Sequence, residues 1–239
     1  MAVYAIADLH LGFGVSKPMS VFGTRWEGHE QVLSEQWQAV VAPGDTVLIP
    51  GDISWGMTLE EALPDLQYLD RLPGQKILSR GNHDYWWTSL AKNERFCRLM
   101  GLDSLTFLRN NSHMVQPDIQ ICGTRGWLLP EDPEYQAADE KIYRREAGRL
   151  QLSLEAADKT ARPGMRRVAC LHYPPFGRTG QATLFTELLH RHQVGLCVYG
   201  HIHGAIRETA FPDLPGACAY RLVAADYLNF RPLRLDDLV

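Results

Sequence analysis

The sequence predicts an α/β domain with two layers of sheet. Three observations carry that reading. Short apolar runs, too short for helices, alternate with helical periodicities as far as residue 100. Those runs are apolar throughout, as strands buried on both faces are. A second alternation of the same kind follows a middle stretch of different character.

Taken in order, residues 3–7 form the first buried strand. Residues 29–41 place Val32, Leu33, Trp37 and Val40 at helical spacing, and Pro43-Gly44 closes the segment. Residues 46–50 read as a strand, 59–72 as a helix, 76–79 as a strand and 85–100 as a helix. This rhythm predicts parallel strands joined by right-handed crossovers. Residues 105–124 suggest short strands with turns at Asn110-Asn111 and Pro117-Asp118. A long helix over 134–158 carries Tyr143, Ala147, Leu150, Leu154 and Ala157 as one apolar stripe. Residues 168–171 and 194–199 are strands on either side of a helix over 183–192. Residues 219–224 and 230–235 read as closing strands. With no repeat, low-complexity stretch or Ser/Gly-rich linker, residues 1–239 read as one domain.

Composition narrows the function. The chain is 45% hydrophobic and 22% charged, which excludes disorder, collagen and a long coiled coil. The 24 Lys and Arg against 28 Asp and Glu leave a net charge of −4, which disfavours sequence-independent nucleic-acid binding. Five scattered cysteines without a CxxC pair predict buried free thiols in a reducing compartment, not a disulfide framework or a thiolate zinc site. The N-terminus lacks a basic region and meets Asp8 too soon for a signal peptide. No run of about 18 apolar residues offers a membrane span. The expectation is a soluble, cytoplasmic protein with no membrane partner.

The chemistry lies just beyond the strands. Asp8-Leu9-His10 follows the first strand, Gly51-Asp52 the second and Gly81-Asn82-His83-Asp84 the third; His172 and Gly200-His201-Ile202-His203 follow two later ones. The carboxyl ends of strands are where open α/β sheets assemble binding sites. Residues two apart in extended chain point to the same side, so Asp8 and His10 can share an ion, and His201 and His203 can converge. Glycines at 51, 81 and 200 let the backbone turn where the ligands face inward. Each motif alone has an ordinary explanation: a turn, a helix cap at Asp84, a satisfied core histidine at 172. Five in succession, each at a strand end, make a metal site the better reading.

The ordered set D-x-H, G-D, G-N-H-D, H and G-H-x-H resembles the calcineurin-like metallophosphoesterase superfamily, with all five blocks intact between Asp8 and His203. The stretches Pro50-Gly51-Asp52-Ile53-Ser54-Trp55, Gly81-Asn82-His83-Asp84-Tyr85-Trp86-Trp87 and Gly123-Thr124-Arg125-Gly126-Trp127 are similar to a bacterial subgroup of predicted phosphohydrolases. The resemblance implies a four-layer α/β/β/α sandwich with two mixed β-sheets and a dinuclear metal centre. It implies one ion on Asp8, His10, Asp52 and His203, a second on Asp52, Asn82, His172 and His201, and Asp52 bridging. It further implies attack of a metal-bridging hydroxide on phosphorus, with His83 protonating the leaving alcohol. Nitrogen and oxygen donors without thiolate suit two divalent ions of manganese, iron, zinc or cobalt.

Arg80 and Arg125 are candidate phosphate contacts, with structural ion pairs as the alternative. Trp55, Trp86 and Trp87 are candidates for stacking on a base or aromatic leaving group, with core packing as the alternative. The expected function is a metal-dependent phosphoesterase acting on a small phosphate mono- or diester. A nuclease and a non-catalytic scaffold of the same fold are the competing readings.

Overall fold

Strand β1 (Val3–Ala5) turns Val3 and Ala5 to one face and Tyr4 to the other, and both faces are buried. Continuous apolar sequence produces this, because a strand covered on both sides has no solvent face to mark with polar residues. The structure, a computed structural model, describes residues 1–177, 181–204, 218–236 and 238.

After β1 come α1 (His29–Gln38), β2 (Thr46–Pro50), α2 (Leu59–Arg71), β3 (Gln75–Ser79), α3 (Leu90–Met100) and β4 (Leu105–Phe107). The chain continues through β5 (His113–Gln116), β6 (Ile119–Thr124), α4 (Asp139–Asp158), β7 (Arg166–Leu171), α5 (Leu184–Arg191), β8 (Leu196–Tyr199), β9 (Ala219–Leu222) and β10 (Leu233–Arg234). One sheet has the order β10-β1-β2-β3-β4 and the other β5-β6-β7-β8-β9. In each, four strands run parallel, and an antiparallel strand, β10 or β5, closes one edge.

The alternation along the strands builds four layers. Tyr4, Ile6, Val47, Ile49 and Leu78 face Leu33 and Trp37 of α1, Leu66 and Leu69 of α2 and Cys97 of α3. Val3, Ala5, Leu48 and Ile77 face Ile119, Ile121, Val168, Cys170, Leu196 and Val198 of the second sheet. Ala169, Leu171 and Cys197 turn the other way, onto Tyr143, Leu150 and Leu154 of α4 and Phe185 and Leu189 of α5. Helices, sheet, sheet and helices therefore stack in that order. Each fully buried aliphatic side chain contributes about 1.5–3 kcal/mol relative to exposure.

Two helices start later than periodicity suggests. The third begins at Leu90, not near 85, because Ser89 is the residue whose hydroxyl accepts from the Lys92 N–H. Residues 85–87 are used by tight turns, Tyr85 N donating to His83 O and Trp87 N to Asp84 O. The fourth begins at Asp139, whose carboxylate accepts from the Gln136 N–H and the Trp127 indole. All five cysteines are free and four are buried; Cys218 is half-buried. Among the described residues no helix is long and apolar enough to cross a membrane.

Candidate metal centre

The two sheets are joined at the first metal-ligand motif. Ala7 bridges to Ala224, its N–H donating to Val223 O at 2.7 Å and its carbonyl accepting from Ala225 N at 2.9 Å. Asp8 therefore leaves the first sheet directly beside the loop that leaves β8, and its carboxylate accepts the His201 N–H at 3.0 Å. Asp8 N donates to Gly51 O and His10 N to Asp52 O, both at 3.0 Å, which locks the loops after β1 and β2 together.

The backbone at the site is strained. Asp8, His10, Asp52 and His201 have φ of 59°, 46°, 52° and 70°, in the left-handed region. Residues with a Cβ occupy it at a cost of about 1–3 kcal/mol each, and such strain collects at functional sites. Gly51 turns with φ of 86°, as its sequence position suggests. Gly81 and Gly200 serve a different purpose, close approach. A Cβ on Gly81 would sit 2.0 Å from Asp52 Oδ1, and one on Gly200 2.4 Å from Asp8 Oδ2.

The seven predicted ligands gather in one place. Ligand atoms of Asp8, His10 and His203 all lie within 4.8 Å of one another, and so do those of Asp8, Asp52 and His172. His10 Nε2 is 3.2 Å from His203 Nε2 and 3.8 Å from Asp52 Oδ2. Asn82 Oδ1 lies 2.7 Å from His172 Nε2 and 3.1 Å from His201 Nδ1. Asp52 Oδ2 is 3.4 Å from His172 Nε2, so this carboxylate reaches both halves of the cluster, and Asp8 belongs to both triplets.

The electrostatics fit a divalent cation. Burial, then the Asp52 charge, pushes the Asp8 carboxyl well above its ordinary range, and burial raises Asp52 as well. Burial, then neighbouring histidines, drives His10 well below its ordinary value. Burial likewise lowers His172 and His201 to about 3. Neutral imidazoles are the form that ligates, and two crowded carboxylates are relieved by a divalent ion. The donor set suits an ion that accepts nitrogen and oxygen together.

Supporting residues complete the cluster. His172 Nδ1 donates to Pro50 O at 2.9 Å, which leaves Nε2 for the site. His203 Nδ1 is 3.2 Å from Asp226 Oδ1. Burial alone would raise Asp226, yet contacts from His203 and the Gly204 N–H hold it below the ordinary carboxylate range. Trp26 packs edge-on against His10 at 5.9 Å and His203 at 5.8 Å. It is fixed by His29, whose ring bridges Trp26 O and Leu9 O. Sequence reasoning missed Asp226 and Trp26. Asp226 lies four residues past β9, so the strand-end rule could have found it; nothing local marks Trp26.

His83 lies beside the ligands. Its N–H donates to Asp52 Oδ1 at 2.8 Å, and its ring is 5.7 Å from His10 and 4.7 Å from Trp55. Neither ring nitrogen has a hydrogen-bond partner among the described residues. Asp84 neither caps α3 nor touches the His83 ring. It is fully buried and accepts from the N–H groups of Gly81, Asp52, Ile53 and Ser54 and from the Trp86 indole, at 2.7–3.2 Å.

The four predicted substrate contacts separate. Trp55 is half-buried and stacks on His10 at 4.9 Å with a 23° interplanar angle. Trp86 is corrected: with 0% exposure and its indole donating to Asp84, it packs the core and cannot face a substrate. Arg125 holds the site through its carbonyl, which accepts from His172 N at 3.0 Å and Tyr173 N at 2.9 Å. Its guanidinium, like that of Arg80, lines a separate recess that none of the seven ligands borders.

Known proteins share this fold. The Aquifex aeolicus protein of unknown function AQ665 superposes with a TM-score of 0.55 at 17% identity, over 100% of this chain and 99% of that one. The phosphopantetheinyl hydrolase PptH of Mycobacterium tuberculosis gives 0.54 at 14% identity, over 96% and 90%. At these identities the likeness is one of fold. The gene 66 protein of Mycobacterium phage L5 is 37% identical over 78 residues, a match covering 33% of this chain and 37% of the phage protein. The family profile of calcineurin-like phosphoesterases matches residues 1–205, a span that holds all seven of the gathered candidate ligands. The chain belongs to the calcineurin-like phosphoesterases.

Proposed function

We propose that the protein is a dinuclear metal-dependent phosphoesterase that hydrolyses a phosphate mono- or diester, with His83 as general acid. One divalent ion is assigned to Asp8, His10, Asp52 and His203, the other to Asp52, Asn82, His172 and His201. Such ions, when bound, lower the pKa of a nucleophilic water and offset charge on the phosphoryl oxygens. The observation that carries the reading is His83: a half-buried imidazole beside the ligand cluster whose ring nitrogens bond to nothing described. A scaffold has no use for such a group. Trp55 flanks both His83 and His10, which limits the directions from which a leaving alcohol approaches. Asp52 holds the His83 backbone at 2.8 Å, so ligand and acid are kept in register. The free thiols favour a reducing, cytoplasmic setting, and the balanced charge a small substrate over a nucleic acid.

Replacement of His83 tests this. His83→Asn should keep its metal and lose about 100-fold or more in turnover on an alkyl phosphate ester. The loss should shrink on a p-nitrophenyl ester, which departs without protonation. Equal losses on both would remove His83 as the acid, and a metal-loaded wild type inert on every ester would leave the scaffold reading.

A further inference from the structure

Outside the metal centre, three of the buried donors that lack a partner among the described residues belong to side chains lining one recess. They are Arg80 Nε, Arg125 Nε and Trp87 Nε1, none with a hydrogen-bond acceptor among the described residues. An unpaired buried donor costs about 1–3 kcal/mol, so three around one recess favour an acceptor bound there. The recess lies at the carboxyl ends of β3, β4 and β6, beside α4, and has a volume of about 30 Å³. That is room for a group of a few oxygen atoms.

Its charge says what the acceptor is. Arg80, Arg109, Arg125 and Arg149 line it, and Glu146 is the one carboxylate among the lining residues. Glu146 is already engaged, by Thr124 Oγ1 at 2.9 Å, Arg149 at 2.6 Å, Arg125 at 3.4 Å and Arg145 at 3.7 Å. Arg80 has no ion pair or hydrogen bond among the described residues. Planar guanidinium forks around a small volume match a tetrahedral oxyanion.

The recess is tied to the metal centre through the backbone. Arg80 stands two residues before Asn82, and the Arg125 carbonyl holds His172 at 3.0 Å. Because no ligand residue borders the recess, a group held there is not the one being cleaved. We propose that the recess is a second anion subsite that takes a non-reacting phosphoryl group, so that the substrate carries two phosphoryl groups, one at the metals and one between the arginines. The subsite stands on its own geometry; the statement about substrate rests on the hydrolase reading above.

Calorimetric titration of inorganic phosphate into the metal-loaded protein tests the subsite. Two phosphates per chain are expected for the wild type and one for Arg80→Gln and Arg109→Gln. Arg80→Gln breaks no described hydrogen bond or ion pair, so its fold should persist, which circular dichroism checks. Equal stoichiometry in wild type and variants would overturn the subsite. A chain that takes up no metal should still bind one phosphate in the wild type and none in the variants, which sinks the hydrolase reading alone. The substrate claim is read with alkanediol bisphosphates of two to four carbons against the corresponding monophosphates. At one spacer length the bisphosphate should win by about tenfold or more in kcat/KM, a difference of about 1.4 kcal/mol. The ratio should fall toward one in both variants. Equal use of mono- and bisphosphates by the wild type would overturn it.

Discussion

Asp84 ties its own loop, residues 81–86, to residues 52–54 with one carboxylate. Each oxygen faces at least two donors, Oδ2 those of Gly81 and Asp52, and Oδ1 those of Ile53, Ser54 and Trp86. Burial, then the Asp52 charge, pushes its carboxyl up to about 6, which still leaves it ionised at neutral pH. An amide in its place points an NH₂ at donors whichever way it is turned. Asp84→Asn should therefore destabilise the protein by about 3 kcal/mol and lower its metal content, because the loops carrying Asp52 and Asn82 lose their common anchor. Denaturant unfolding and elemental analysis check both parts; unaltered metal content in a destabilised variant would confine Asp84 to the core.

At the scale of elements, α2 braces the metal loops from behind. Asp65 accepts the Phe13 N–H at 2.8 Å and the Ser54 hydroxyl, joining the segments that follow β1 and β2. Burial raises its carboxyl from 3.8 to about 6. The native state thus keeps a proton that the unfolded chain has already released. Its stabilising effect is complete below pH 3.8 and is lost as pH rises through about 6. Asp65→Asn does not titrate, so its stability relative to wild type should rise by about 1–3 kcal/mol between pH 4 and pH 7.5. Unfolding free energies at the two pH values decide it, and a constant gap would show that Asp65 carries no proton linkage. The helix itself was legible in the sequence as residues 59–72, and the structure caps it with Thr58, whose hydroxyl accepts from Glu61 N. The start of α3 was not, because the Asp84 carboxylate that periodicity offered as a cap is claimed by residues thirty positions earlier.

For the molecule as a whole, ligands from both sheets converge on one cluster, so bound ions would clamp the sheets at their carboxyl ends. Elemental analysis should find two ions per chain, Asp52→Asn lowering both and His10→Ala mainly one. At a hundredfold excess over its dissociation constant, an ion stabilises the native state by about 2.7 kcal/mol. Chelation should then lower the melting temperature by about 5–10 °C per ion lost, reversed by adding the metal back. A melting curve indifferent to chelator, or one ion per fully loaded chain, would break the dinuclear assignment.

The sequence by itself determined the strands, the parallel order of the first sheet's core and the seven side chains that gather at the site. Those signals are local: a strand announces itself within about five residues, and the candidate ligands follow directly after strands; the left-handed backbone at Asp8 and His10, which replaces the extended chain their spacing suggested, was not legible. The same locality let the strand-end rule pick His172 without a neighbouring motif. Tertiary structure alone decided which polar groups face each other across the sheets. Asp226 reaches His203 from twenty-three residues away, and Trp26 lies against two ligands from different loops. Trp86 reads like Trp55 in sequence, yet one is sealed in the core and the other borders the site. The recess that Arg80 and Arg125 line was equally invisible, since Arg109 and Arg149 join it from a loop and a helix distant in sequence. Spacing governs which side of a strand a residue takes; long-range packing governs what stands opposite it.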